Sequence, residues 1–228
     1  MQVLESLPLR RRCFHSRLGP LLLRVLVCCC LQILPAVAGK RIALVVGNSG
    51  YAHVTNLDNP TNDAQDVAAA LQELGFEVII GIDLDKHSFD DKIHEFSRAI
   101  ADADVALFFY AGHGLQAKGN NHLIPIDATI ANEYDLELET VTLDSVLNQM
   151  EQAKTKVVIL DACRNNPFAR SLARSMGSRA VSENLGLAIS VPSGVGTFIA
   201  YATQPGNVAR DFGSTKCAHS GATRVASP

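Results

Sequence analysis

Residues 41–47 read Arg-Ile-Ala-Leu-Val-Val-Gly, a continuous apolar run closed by glycine. A run with no alternating polar position predicts a strand buried on both faces, as in a parallel sheet. Asn59-Pro60-Thr61-Asn62-Asp63 is turn and capping chemistry. It leads into Ala64, Val67, Ala68, Leu71 and Leu74, which fall on one face of a helix that Gly75 closes. Residues 77–82 are a second predicted strand. Ser88 is read as the cap of a second helix, with Phe89, Ile93, Phe96 and Ile100 on its buried stripe. A third strand is predicted over 104–110. Residues 122–127 read as a short extended segment, half of a hairpin. Leu143, Val146, Leu147 and Met150 mark a third helix, and residues 156–160 and 197–203 are the fourth and fifth strands. Strands alternating with helices predict an α/β fold with a mostly parallel central sheet flanked by helices.

Two stretches break this pattern. Residues 164–195 are rich in Arg, Ser, Asn and Gly and read as a long surface loop, a feature that in compact domains usually serves function or is disordered. Residues 209–228 are small, polar and aperiodic, and are predicted to be disordered. The first 38 residues differ again. A basic region is followed by an apolar stretch over 25–34 and then Ala36-Val37-Ala38, the order of a secretory signal cleaved after Ala38. Arg24 and Pro35 hold the apolar run to ten residues, too short for the ~20 of a bilayer span. The expectation is an exported protein, periplasmic or secreted, with no stable membrane anchor.

Charge and cysteine usage change the picture in two places. Residues 1–38 carry five arginines against one acid, so of the total charge of −3 about −7 falls on the remainder. An acidic body argues against a nucleic-acid partner and suits a basic peptide. Four of the six cysteines lie in the signal, leaving Cys163 and Cys217, too few for a disulfide framework. The chain is read as a monomer, with no cofactor. The remaining histidines show no metal-ligand spacing. Asp83 with Asp85, and Glu133, Asp135, Glu137 and Glu139, are two acidic runs, but neither has the spacing of a calcium loop; solvated surface is the simpler reading.

The candidate chemistry lies in two segments, Tyr110-Ala111-Gly112-His113-Gly114 and Asp161-Ala162-Cys163-Arg164-Asn165. Each follows a predicted buried strand. Ligands of open parallel sheets bind beyond the carboxyl ends of the strands. If the two strands are neighbours, His113 and Cys163 enter one crevice. A thiolate is the attacking form of cysteine, and an adjacent imidazole takes its proton. Gly112 and Gly114 are read as letting the backbone turn and approach a substrate. Backbone N–H groups of Gly114 and Cys163 are candidates for an oxyanion hole. Taken singly, a buried structural cysteine and a loop histidine are the plainer readings of these residues.

These motifs resemble those of the caspase-fold cysteine peptidases. The caspase signature places Ala-Cys-Arg about 50 residues after its histidine, and 113 and 163 have that separation. Residues 41–208 resemble bacterial metacaspases (orthocaspases), through the histidine motif over 108–114, the cysteine motif over 158–165, and Tyr201-Ala202-Thr203-Gln204-Pro205-Gly206. The resemblance implies a caspase-like fold and a Cys–His endopeptidase that cleaves after Arg or Lys. It also implies acids lining the pocket for that basic side chain, here Asp161 and Asp63. Carboxylates in such a pocket hold guanidinium by charge-assisted hydrogen bonds. Asp63 is equally placed to complement a helix dipole, and Asp161 to orient a loop. Arg170, Arg174 and Arg179 in the loop after Cys163 are candidate self-processing sites or a solvated basic surface. Ala111 stands where the family often has serine. The resemblance weakens after 208, where the family continues into another strand and helix, so the C-terminal part of the 39–208 domain reads as incomplete. Two functions remain open from sequence: an exported endopeptidase, and an inactive caspase-like binding module.

Overall fold

The computed structural model describes residues 39–117, 119–163, 168, 172, 174 and 196–202. Among the described residues five strands form the predicted parallel sheet: β1 (Arg41–Gly47), β2 (Glu77–Ile82), β3 (Val105–Ala117), β6 (Thr155–Cys163) and β7 (Thr197–Tyr201), in the spatial order β2-β1-β3-β6-β7. Two short strands, β4 (Asn120–Leu123) and β5 (Val141–Thr142), extend β3 as an antiparallel ribbon. The helices are α1 (Pro60–Glu73), α2 (Lys86–Ala99), α3 (Asp135–Glu139) and α4 (Leu143–Gln149).

Strand alternation sorts the core into two faces. Ile42, Leu44, Phe108, Tyr110, Val158 and Leu160 pack with Phe89, Ile93 and Phe96 of α2 and with Leu143 and Val146 of α4. Ala43, Val45, Leu107, Phe109 and Ala111 pack with Ala64, Ala68 and Leu71 of α1. The apolar runs of β1 and β3 lack alternation because both of their faces are covered. A third apolar cluster gathers Tyr51, Leu115, Ile124, Ile130 and Leu136 around the antiparallel ribbon, and Phe168 and Leu172, from beyond Cys163, are buried in it.

Helix α1 begins directly over the last residue of β1. A Cβ built on Gly47 would lie 2.3 Å from the Pro60 carbonyl oxygen and 2.6 Å from the Ala64 Cβ, so only glycine permits this approach. The cap of α2 is Asp85, whose carboxylate accepts from the Ser88 N–H at 2.7 Å. This corrects the reading of Ser88 as the cap: Ser88 lies inside the first turn and supplies the N–H that is capped. The backbone bond from Ser88 holds the Asp85 carboxyl below its usual range.

The larger corrections concern the two motif strands. β3 does not end at Tyr110 but runs through the Gly-His-Gly segment to Ala117, and β6 does not end at Leu160 but reaches Cys163. The glycines beside His113 therefore lie within a strand, not a turn. The segment 122–127, read as half of a hairpin, overlaps β4 only at His122 and Leu123; β4 pairs antiparallel with the far end of β3. Helix α3 and strand β5 had no expectation. Residues 209–228, and most of 164–195, lie outside the described residues, as does the segment 1–38 read as a signal.

Candidate active site

The register of β1, β3 and β6 sets out the site row by row. Gly47 pairs with Ala111, and Ala111 with Asp161. Two residues on, His113 pairs with Cys163. The predicted strands are thus neighbours, and the His–Cys pair occupies facing backbone positions at the carboxyl end of the sheet. The strand order reverses one strand away, between β1 and β3, since β1 leads to β2 on one side while β3 lies on the other, so His113 borders that crevice.

His113 is buried, with 4% of its surface exposed. Its Nε2 lies 2.8 Å from the carbonyl oxygen of Thr55. A carbonyl only accepts, so Nε2 carries the hydrogen. In the neutral ring the lone pair then belongs to Nδ1. The imidazole also packs against the ring of Tyr51, with centroids 4.5 Å apart and planes inclined by 54°.

Hydrogen bonds fix the histidine's main chain on both sides. Its N–H donates to the Tyr51 hydroxyl at 2.7 Å. Its carbonyl accepts from the Tyr110 hydroxyl at 2.7 Å and from the Ile124 N–H at 3.1 Å. The Tyr110 hydroxyl in turn accepts from Ile124 N–H at 3.2 Å. Gly112, between Tyr110 and His113, has φ of +155°, and a Cβ there would sit 2.7 Å from both tyrosine hydroxyls. Any larger residue would push the phenols away from the histidine.

The loop that brings Tyr51 and Thr55 to His113 is itself tied down. Asn48, fully buried, receives the Leu84 N–H on its Oδ1 at 2.9 Å and donates from Nδ2 to the Ile124 carbonyl at 3.1 Å. Asp83 accepts from the Ser49 and Gly50 N–H groups at 2.7 and 2.9 Å. Asp83 holds a left-handed φ of +49°, an uncommon conformation that aspartate tolerates better than most side chains. The acidic runs considered for calcium are therefore architectural where their contacts are defined. Asp83 clamps the loop, Asp85 caps α2, and Asp135 accepts from Ala131 and Asn132 at the start of α3.

The other predicted site residues take definite places. Gly114 begins the antiparallel pairing of β3 with β4, opposite Leu123. Asp63 lies in the first turn of α1. Val157 and Ile159 pack on the α1 face of the sheet, and alternation carries half-buried Asp161 to that same face. Both acids thus lie on one side of the sheet, at the end where its strands terminate. Arg174 is exposed, while Arg170 and Arg179 lie outside the described residues. Thr55 and Tyr51 were not anticipated. A carbonyl oxygen has no signature in sequence, and Tyr51 sits in a segment without periodicity. Among the described residues no group of three or more His, Cys, Asp or Glu side chains could hold a metal ion.

Residues 40–223 match the family model Peptidase_C14, the caspase domain. The chain belongs to this caspase-domain family. The match spans the β1 loop, the His113 strand and the Cys163 strand together, so the peptidase domain encompasses the site just described. Curated relatives within reach include the human mucosa-associated lymphoid tissue lymphoma translocation protein 1, 30% identical over 129 residues, and the paracaspase of Dictyostelium discoideum, 29% identical over 131 residues. These alignments take in 56% and 55% of this chain but 15% and 31% of those proteins, so the chain spans under a third of either relative. Among solved structures, the Drosophila initiator caspase Dronc superposes with a TM-score of 0.47 and 14% identity, over 71% of this caspase-domain chain and 54% of Dronc.

Proposed function

We propose that this caspase-domain chain is a cysteine endopeptidase of the metacaspase type, cleaving after Arg or Lys with His113 and Cys163 as its dyad. The observation that carries the reading is the facing of His113 and Cys163 across the β3–β6 ladder, with the imidazole Nε2 committed to the Thr55 carbonyl. That commitment leaves Nδ1 as the basic nitrogen. Nδ1 takes the Cys163 proton, and the thiolate attacks the scissile carbonyl. The resulting oxyanion is received by the N–H groups of Gly114 and Cys163. The imidazolium returns its proton to the departing amine. Water, activated by the same ring, then hydrolyses the thioester and frees the thiol.

Asp161 and Asp63, on one face at one end of the sheet, are the acids proposed to select a basic side chain. The acidic body after residue 38 suits the same partner, a peptide or protein rather than nucleic acid. Export with cleavage after Ala38, and self-processing at Arg170, Arg174 or Arg179, belong to the same proposal.

Fluorogenic peptides ending in Arg, Lys or Asp, supplied to the purified chain with and without calcium, test it. Release after Arg or Lys, lost in Cys163→Ala, is expected. Asp161→Ala should reduce turnover of the Arg peptide by about 10²-fold, mostly in KM, since a bidentate charge pair is lost from the pocket. A folded sample that turns over none of the peptides would sink the reading in favour of a binding module.

A further inference from the structure

The ladder between β1 and β3 stops at Gly47 and Ala111, two residues before His113. The Ala111 carbonyl is the last of that row to be met from the β1 side, by the Asn48 N–H at 2.9 Å. The next N–H along the same edge of β3 is that of His113. It lies beyond the reach of β1, with a glycine on either side. A phenol takes the place of the missing strand: the Tyr51 hydroxyl accepts from the His113 N–H at 2.7 Å. The same side chain lays its ring against the imidazole. Four residues later, the loop presents the Thr55 carbonyl to Nε2 at 2.8 Å. One loop thus grips one histidine at its main chain, its ring and its ring nitrogen.

We propose that Tyr51 is a positioning residue for His113, its hydroxyl fixing the backbone and its ring fixing the imidazole plane so that Nδ1 is held toward Cys163. This rests on the dyad proposed above. A general base must be held to well under an ångström, because a 1 Å displacement costs about 10²-fold in rate. A histidine between two glycines has little steric constraint of its own. Its Nε2 bond alone leaves the ring free to swing about the Thr55 carbonyl. The buried phenol removes that freedom.

Tyr51→Phe in the full chain is the test, because it keeps the ring and removes the hydroxyl. Hydrogen exchange should show the His113 amide losing about tenfold of its protection, as one native hydrogen bond is removed. The ring nitrogens of ¹⁵N-labelled His113, assigned against His113→Gln, should change from a single Nε2–H tautomer to an exchanging mixture. With an Arg peptide, kcat should fall about tenfold with KM nearly unchanged, part of the loss that a 1 Å displacement brings. The acidic limb of the pH–rate profile should shift as well. A lower melting temperature with unchanged tautomer, amide protection, kcat and pH profile would make Tyr51 merely structural and overturn the proposal.

Site-specific 3-fluorotyrosine at position 51 weakens the acceptor while adding one small atom, and guards against a phenylalanine variant that fails to fold. Effects between those of the native and phenylalanine chains support the role; no change in any readout refutes it. Should the native chain cleave no peptide, the proposed peptidase function fails, and amide protection and tautomer alone still decide the place of Tyr51.

Discussion

From Val105 to Tyr110, β3 lies between β1 and β6 with apolar side chains buried on both faces. From Gly114 to Ala117 the same strand has left β1 and pairs with β4. The first half is held by packing, with Phe108 and Tyr110 fully buried in a cluster that runs through α2 and α4. The second packs too, with Leu115 buried against Ile124, Ile130 and Leu136, but around it directed bonds are added: two tyrosine hydroxyls at His113, Asn48 at Ile124 and a buried His122–Thr140 pair. Hydrophobic burial is roughly proportional to area and indifferent to direction. It sets the layer in which a strand lies but not the rotation of a ring. Hydrogen bonds contribute less energy each but fix direction. His113 stands at the junction, where directed bonds are added to packing.

The comparison can be broken most severely at Phe108. Phe108→Ala should cost about 3–5 kcal/mol in urea denaturation, the usual loss for a buried aromatic. It should leave the kcat of the remaining folded molecules unchanged. A loss below about 1 kcal/mol would mean that the parallel half is not held by packing.

Tyr110→Phe tests the other half. The His113 carbonyl and the Ile124 N–H and carbonyl all lose a buried hydroxyl. A loss of about 1–3 kcal/mol is expected, with kcat falling in the folded fraction. An unchanged kcat would separate the β3–β4 ribbon from the chemistry.

The smallest effect concerns pH. Thr140 donates its hydroxyl hydrogen to the Leu136 carbonyl, so the hydroxyl oxygen accepts from His122 Nδ1 at 2.8 Å. Burial pushes the His122 imidazole below its ordinary 6.5, against the opposing pull of Glu137 and Asp144. A depressed folded value means that the unfolded chain binds the proton first. The contribution of His122 to stability is therefore full above about 6.5 and lost as pH falls through the folded value. Melting temperature followed downward from neutral pH should show this decline, and His122→Gln should flatten it. An equally steep decline in the variant would assign the effect to the carboxylates.

The strands and helices that the sequence announced are those whose burial has one period. β1 and β2 coincide with their predicted residues, and Phe89, Ile93, Phe96 and Ile100 are buried as the helical stripe implied. The ends of β3 and β6 were misjudged because Gly-His-Gly and Asp-Ala-Cys have the composition of turns. Their extended shape comes from pairing with each other and with β4. α3 escaped notice because it buries Leu136 alone among its acids, leaving Leu138 exposed. His113 and Cys163 could be found because their chemistry belongs to side chains. The Thr55 carbonyl could not, since any residue supplies one, and the role of the Tyr51 hydroxyl depends on where a ladder ends.

Phe168 and Leu172 are buried beside the ribbon, five and nine positions after Cys163, and exposed Arg174 follows two positions later. If the backbone were cut after Arg174, both anchors would remain on the piece that carries the thiol. β7, on the other piece, is paired along β6 from Thr197 to Tyr201. The products would then be two polypeptides and still one particle, resolved on a denaturing gel but eluting together from a native sizing column.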